Sequence, residues 1–258
     1  MKSKTTADLP TLRELLAAGA HFGHRKEWST PASREFTFVI RDGVCVIDLE
    51  QTQTRLAEVG HYLEAQASEG AIILLVGTKR QATEIVGRIG QEHQILFVNQ
   101  RWLGGTLTNF NVIRGNISRL AQIEQTLGDE KAVANLTKRE VARLSEQAKK
   151  LHMMLDGITA MTKLPDLLIV IDPTEEATAV REAKSLKIPV IAIGDTDADP
   201  AQTDYLIPAN DGAPKTIEIL LTYLGQAIAR GKNKVKIPKS DPSRPASQAE
   251  AEAPNPKQ

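Results

Sequence analysis

The feature that most constrains this fold is a set of short runs that stay apolar at every position. They are "FTFVI" (36–40), "VCVIDL" (44–49), "AIILLV" (71–76), "ILFV" (95–98), "LLIVID" (167–172) and "PVIAIG" (189–194). A strand with one wet face alternates apolar and polar residues. A continuous run predicts burial on both faces, as in a parallel sheet. Helical patterns separate several of the runs. "EQTQTRLAEVGHYLEAQASE" (50–69) brings Leu56, Val59, Tyr62 and Leu63 to one side. "RQATEIVGRIGQ" (80–91) follows the third run, "EEATAVREAKSLK" (175–187) the fifth, and "APKTIEILLTYLGQAIAR" (213–230) closes the fold. Strand and helix in alternation imply right-handed crossovers with helices on both sheet faces. A doubly wound α/β domain is predicted.

One segment breaks this rhythm. From about 111 to 158 no strand pattern occurs, and Ile113, Ile117, Leu120, Ile123 and Leu127 recur at steps of four, three, three and four. Val141, Leu144, Ala148, Leu151 and Leu155 then recur at steps of three, four, three and four. This near-heptad spacing predicts two amphipathic helices. "LGD" stops the first, and Thr137 with Glu140 offers a capping box for the second. The stripes are best buried against each other, as an antiparallel helical hairpin of coiled-coil type inserted between two strands. Packing of both helices on the sheet is the alternative.

Composition narrows the class. Hydrophobic residues make up 41% and charged residues 25%, which suits a soluble globular chain. No apolar run approaches the roughly 20 residues that span a bilayer, and "MKSKTTADLP" has no apolar core after its lysines, so neither a membrane span nor a signal peptide is expected. The single cysteine, Cys45, lies in an apolar run and is expected to be a buried small hydrophobe. These features point to the cytoplasm. The 32 Lys and Arg balance the 32 Asp and Glu, yet the signs are segregated. Residues 1–41 and 101–163 and the tail from 230 carry an excess of base, while 42–100 and 164–229 are acidic. A neutral protein with this distribution can still present a basic face to phosphates. The proline-rich, charged tail from about 236 lacks the apolar residues to order itself. Lys232, Lys234, Lys236 and Lys239 at its root read as a solvated linker or an anion contact.

Chemistry-bearing motifs are few. "VGTKRQAT" (76–83) joins a strand to a helix, and such a turn can hold phosphate through backbone N–H groups, with Lys79 and Arg80 adding charge. Neither nucleotide fingerprint, GxGxxG or GxxxxGK[ST], occurs, which argues against a nucleotide enzyme. "AHFGH" (20–24) sets His21 and His24 three apart, as a packing corner or a metal pair without an assignable third ligand. In "GDTDADP" (194–200), Asp195, Asp197 and Asp199 could hold Mg²⁺ or could cap and turn the loop. Asp172 reads as a cap for the helix that follows "IDP". No catalytic triad or carboxylate pair is legible.

The run "FVNQRWLGGTLTN" (97–109) resembles the protein-two family of the small ribosomal subunit, in its bacterial form. "LLAAGAHFGH" (15–24), "IDLEQT" (47–52), "VGTKRQA" (76–82), "LPDLLIVID" (164–172), "EAKSLKIPVIAIGDTDADP" (182–200) and "DYLIPANDGA" (204–213) match it in order. The resemblance implies a flavodoxin-like parallel sheet with a protruding helical hairpin. It implies a structural role at the head–body junction of the 30S subunit in the cytoplasm. The implied partners are 16S rRNA and neighbouring ribosomal proteins, including the large mRNA-binding first protein of the subunit. It implies no catalysis, and no cofactor, small-molecule substrate, membrane contact or homo-oligomer is expected. Candidate RNA contacts are His24, Arg25 and Lys26, Lys79 and Arg80, Arg101, and Lys131, Lys138 and Arg139 near the hairpin tip. Gly104 and Gly105 are expected to permit the turn at which the hairpin leaves the sheet, Trp102 to fill its corner or stack on a base, and Asn109 to fix the loop. The resulting division is 1–35 for an N-terminal helix and basic corner, 36–110 with 159–230 for the sheet, 111–158 for the hairpin and 231–258 for the tail. A sugar-phosphate or nucleotide enzyme, with phosphate at Thr78–Arg80 and metal at Asp195–Asp199, and a free RNA-binding module are the competing readings.

Overall fold

The computed structural model describes residues 9–234. The predicted unordered tail, with Lys236 and Lys239, lies outside them. Five parallel strands form the main sheet: β4 (Ile73–Val76), β5 (Leu96–Val98), β6 (Leu167–Ile171), β7 (Val190–Gly194) and β8 (Tyr205–Pro208), in the order β5-β4-β6-β7-β8. Numbered among themselves the strands run 2-1-3-4-5, so the order reverses between β4 and β6. β4, β6 and β7 are buried along their whole length, as their unbroken apolar runs require.

Alternate residues of these strands feed two cores. Ile73, Leu75, Ile169, Ile171, Ile191 and Ile193 pack against α2 (Leu49–Ser68), α3 (Thr83–Glu92) and α8 (Pro214–Asn233). Leu74, Val76, Leu168, Val170 and Val190 pack on the other face against α7 (Ala177–Ser185) and the roots of α4 (Phe110–Gly128) and α6 (Lys138–Leu155). Leu56, Val59 and Leu63 form the buried side of α2, as their spacing predicts, with Tyr62 partly buried. No described helix is long and apolar enough to cross a membrane.

The first two apolar runs behave differently from the expectation. "FTFVI" and "VCVIDL" do not join the parallel sheet. They supply β2 (Thr37–Arg41) and β3 (Val44–Ile47), which form a separate antiparallel sheet with β1 (Phe22–Arg25), in the order β1-β3-β2. Only one face of this sheet is buried. Cys45 is buried and Ile47 packs with Phe36, Ala192, Ala198 and Leu206, while Phe38, Val39 and Ile40 are exposed. In β3 burial alternates, invisibly in the sequence because the outward Val44 and Val46 are apolar too, whereas β2 is exposed throughout Phe38–Arg41. β1, hidden in "FGHR", and β8 carried no such signal. A short helix, α1 (Leu12–Ala18), precedes β1, capped by Thr11 with Glu14 and ended by Gly19 at φ 82°.

α4 and α6 settle between the two expected packings. Near the sheet, Ile113, Leu155 and Ile158 join the second core. Farther along, Leu120, Ile123 and Ala148 bury one another with Leu127, Leu144 and Leu151 beside them. Only these three residues are buried in the outer cluster, with Leu120 and Ile123 each contributing roughly 1.5–3 kcal/mol and Ala148 less. The outer turns therefore lean on their caps. Thr137 and Glu140 make the predicted capping box, and a short helix, α5 (Glu130–Ala134), capped by Asp129, bridges α4 and α6. After α6 the chain turns through Asp156–Ile158 against β5. A Cβ on Gly157 would overlap the Phe97 carbonyl oxygen. Gly157→Ala should therefore lower the unfolding free energy by about 2 kcal/mol or more. Gly128→Ala, where a Cβ meets open space, should be neutral or slightly stabilising in the same urea titration.

Candidate nucleic-acid interface

The loop from Arg101 to Asn109 carries the most specific sequence signal, and it is built around one carboxylate. Glu182 lies on the buried side of α7 beside Ala179 and Ala183. Its Oε1 accepts from Trp102 Nε1 at 3.0 Å and from the Gly105 N–H at 2.8 Å. Its Oε2 accepts from the N–H groups of Leu107 at 2.9 Å and Thr108 at 3.1 Å, and from the Thr108 hydroxyl at 3.2 Å. Desolvation acts to raise this carboxyl. The donors of Trp102, Gly105, Leu107 and Thr108 outweigh it and hold the group below the usual carboxylate value. A buried anion thus gives loop N–H groups the partner that a helix or sheet ladder would otherwise supply.

The glycines divide the work unequally. Gly105 adopts φ 87°, a conformation that favours glycine, and a Cβ there would sit 3.1 Å from Asn109 Cβ. Gly104 has no such φ, and a Cβ on it would meet nothing within 4 Å. The expectation that both glycines permit the turn therefore narrows to Gly105. Trp102 is half-buried against the second core, with its N–H committed to Glu182. Asn109 occupies the N-cap position of α4 without a side-chain cap bond. Arg101 is exposed and has no carboxylate within 4 Å among the described residues.

The carboxyl ends of β4, β6, β7 and β8 carry a second network. Lys79 Nζ donates to Asp172 Oδ2 at 2.9 Å and to Asp211 Oδ1 at 2.7 Å. The expectation that Lys79 reaches RNA meets this geometry: its ammonium is already held by two carboxylates and only 21% of the side chain is exposed. Burial pulls the Lys79 pKa down, but Asp211 and Asp172 outweigh it and hold the lysine above its ordinary value. Burial, then Asp172, pushes Asp211 up to about 7 against the pull of Lys79. One ammonium serves two buried acids, so the second acid is easily protonated. Asp172 adopts φ 60° and caps the Thr174 and Glu175 N–H groups, as its position before the helix predicts. Glu176 is buried, and its Oε1 accepts from the Thr78 N–H at 2.6 Å. Burial raises its pKa. A phosphate at this strand–helix turn would need the N–H that Glu176 occupies.

The N-terminal corner rests on the aspartate-rich loop. The His24 N–H donates to Asp195 Oδ1 at 3.2 Å and to Thr196 Oγ1 at 3.0 Å, and His24 Nδ1 lies 2.9 Å from Asp195 Oδ2 and 3.6 Å from Asp197 Oδ1. Asp195 is buried and Asp199 caps the turn at Pro200–Gln202 through the Ala201 N–H. Asp195 and Asp199 thus have structural tasks, and among the described residues no group of three or more His, Cys, Asp or Glu is arranged to hold a metal ion. Arg25, Lys26, Arg80, Lys131, Lys138 and Arg139 are exposed. They have no acid within 4 Å among the described residues. At the root of the tail, Lys232 donates to the carbonyls of His93 and Gln94, and Lys234 pairs with Glu64.

Glu182, Glu176 and Asp211 escaped the sequence reading. Glu182 did leave a trace, because it falls on the apolar stripe of α7 with Ala179 and Ala183. Glu182→Gln replaces a carboxylate oxygen by an NH₂ that faces other donors. It should lower the unfolding free energy by about 2–4 kcal/mol at pH 7 in urea. A depressed carboxyl stabilises the fold above its unfolded value of about 4.3 and stops doing so as the pH falls through its lower native value. The deficit of Glu182→Gln should therefore shrink toward pH 3. Gly105→Ala should cost about 1 kcal/mol or more, while Gly104→Ala should stay within about 0.5 kcal/mol of the parent in thermal unfolding.

A family model described as Ribosomal protein S2 matches residues 15–231. The match spans both sheets, the loop around Glu182 and the α4–α6 segment. Its members are structural proteins of the small ribosomal subunit, in translation, associated with rRNA and other ribosomal proteins, and are not enzymes. The chain belongs to the ribosomal protein S2 family.

Proposed function

We propose that this chain is a scaffold of the cytoplasmic small subunit that binds 16S rRNA directly at the head–body junction. There it also contacts neighbouring ribosomal proteins, including the mRNA-binding first protein of the subunit. The sheet order 2-1-3-4-5 is that of flavodoxin-like folds. In such folds a ligand sits beyond the carboxyl ends of the strands. Here Lys79, Asp172, Asp211 and Glu176 occupy that place with bonds to one another. The observation that carries the reading is the contrast between this internally paired centre and the exposed cations around it, which have no acid within 4 Å among the described residues. Arg25, Lys26, Arg80, Arg101, Lys131, Lys138 and Arg139 are free to meet phosphate. His24 and Lys79 act as structural groups beneath them.

In this reading residues 1–35 form the basic N-terminal corner, 36–110 with 159–230 the sheet region, 111–158 an antiparallel coiled-coil hairpin that carries cations outward, and 231–258 the tail. RNA helices are gripped through phosphates, 2′-hydroxyls and shape, with each neutralised phosphate releasing counterions.

Sedimentation of cell lysate tests the assignment, with the chain expected to travel with 30S particles. Its presence only at the top of the gradient contradicts it. In filter binding to 16S rRNA, Lys138→Ala with Arg139→Ala should weaken binding and lower the slope of log K against log salt by about 1–2. The corresponding pair at exposed Lys163 and Lys187, outside the proposed contacts, should leave the slope unchanged.

A further inference from the structure

The small antiparallel sheet has an outer face that no element among the described residues covers. Its register defines that face. Phe22 and Val39 flank Val46 across the three strands, and Arg25 and Arg41 flank Val44 in the next row. Cys45 and Ile47, which alternate with Val44 and Val46, are buried, so these two rows lie on the opposite, outer face, with Val44 and Val46 partly exposed between the edge residues. Phe22 is 53% exposed and Val39 46%. At the margins Trp28 is 67% and Phe38 75% exposed. Of the ten exposed large apolar side chains among the described residues, five fall between positions 22 and 40. Phe22 and Val39 share the outer face, while Ile40, opposite Cys45, belongs to the other row. Exposed apolar side chains concentrated in one segment often mark an interaction surface.

The charge around it selects the occupant. Arg25, Lys26 and Arg34 are exposed with no acid within 4 Å among the described residues. Arg41 meets only Asp42, at 3.9 Å and fully in solvent, a pair of little weight. Glu35 is turned to Arg55, which leaves Glu27 as the one nearby acid without an ion pair among the described residues. Aromatic rings on a sheet face, in line with guanidinium groups, suit a strand of bases and phosphates. Every base has a face to stack on the ring, and the arginines take phosphates or stack in turn. A wholly apolar partner has no use for the arginine row.

We propose that this sheet face, through Phe22, Arg25, Val39 and Arg41 with Trp28 beside them, binds an unpaired stretch of 16S RNA by stacking. The inference rests on the reading above that the chain binds this RNA, and adds a second mode of contact to the phosphate grip. It also gives β1–β3 a task that the parallel sheet does not need them for.

Replacing Phe22 by the photo-crosslinking residue benzoylphenylalanine in the full chain, and irradiating purified 30S particles that contain it, tests the proposal. A crosslink to 16S RNA is expected at this position and none at the same replacement of exposed Leu186. Particles that contain the protein but crosslink at position 22 only to another protein, or not at all, overturn the stacking face and leave the subunit assignment standing. Failure of the chain to enter 30S particles overturns both. As a second measurement, Phe22→Ala should weaken binding to 16S rRNA on the order of tenfold while Phe22→Tyr keeps it. Thermal unfolding should be unchanged in both, since the side chain is more than half exposed. Equal RNA affinity of Phe22→Ala and the parent chain contradicts the proposal.

Discussion

The Glu182 carboxylate is the contact on which the rest of the structure depends. It sits on a helix that follows β6, yet its partners are in the loop that follows β5, more than seventy residues earlier in the chain. That loop is the point where the chain leaves the parallel sheet for α4. Four N–H groups and a hydroxyl converge on one buried anion, so the position of α4 relative to α7 is fixed by directional bonds rather than by apolar packing alone. The arrangement resembles the way a helix N-terminus holds an anion, with the anion supplied by the protein itself. The exposed Arg101 is thereby presented from a rigid base.

The same device recurs at the centre of the carboxyl edge. Lys79, Asp172 and Asp211 join the β4, β6 and β8 ends, and Glu176 ties the β4 turn to the start of α7. Buried ion networks of this kind are weak evidence for stability, because desolvation offsets much of the attraction. Their clearer effect is specificity: each strand end is held in one position relative to the next. The location is the one where flavodoxin-like sheets accept ligands, and here side chains take the bonds. A fold that elsewhere carries chemistry serves as an assembly block, with function residing on its outside.

Much of this was legible in the sequence because it rests on local periodicity. The buried runs at 71–76, 167–172 and 189–194 gave the three central strands, and the steps of three and four gave α4 and α6 with their caps. That the two apolar runs at 36–49 stay out of the parallel sheet is hidden for two reasons: β3 masks its period-2 burial behind apolar outward residues, and β2 is an edge strand with exposed apolar side chains on both faces. The ionic centre was illegible for a different reason. Lys79, Asp172 and Asp211 are separated by 93 and 132 residues along the chain, and only the topology brings them together. Lys79 therefore looked like a free cation beside Arg80, which is one. Gly104 and Gly105 were indistinguishable as letters, and the backbone assigns the left-handed turn to the second alone.

Glu182 fixes the Arg101–Asn109 loop in the free protein, so that a partner of the proposed kind would meet a preformed surface. Hydrogen–deuterium exchange at the amides of Gly105, Leu107 and Thr108 tests it most directly, measured in the free chain and in 30S particles. Slow exchange in the free chain, changed little on incorporation, is the predicted result. Rapid exchange in the free chain that becomes slow only in the particle contradicts the account.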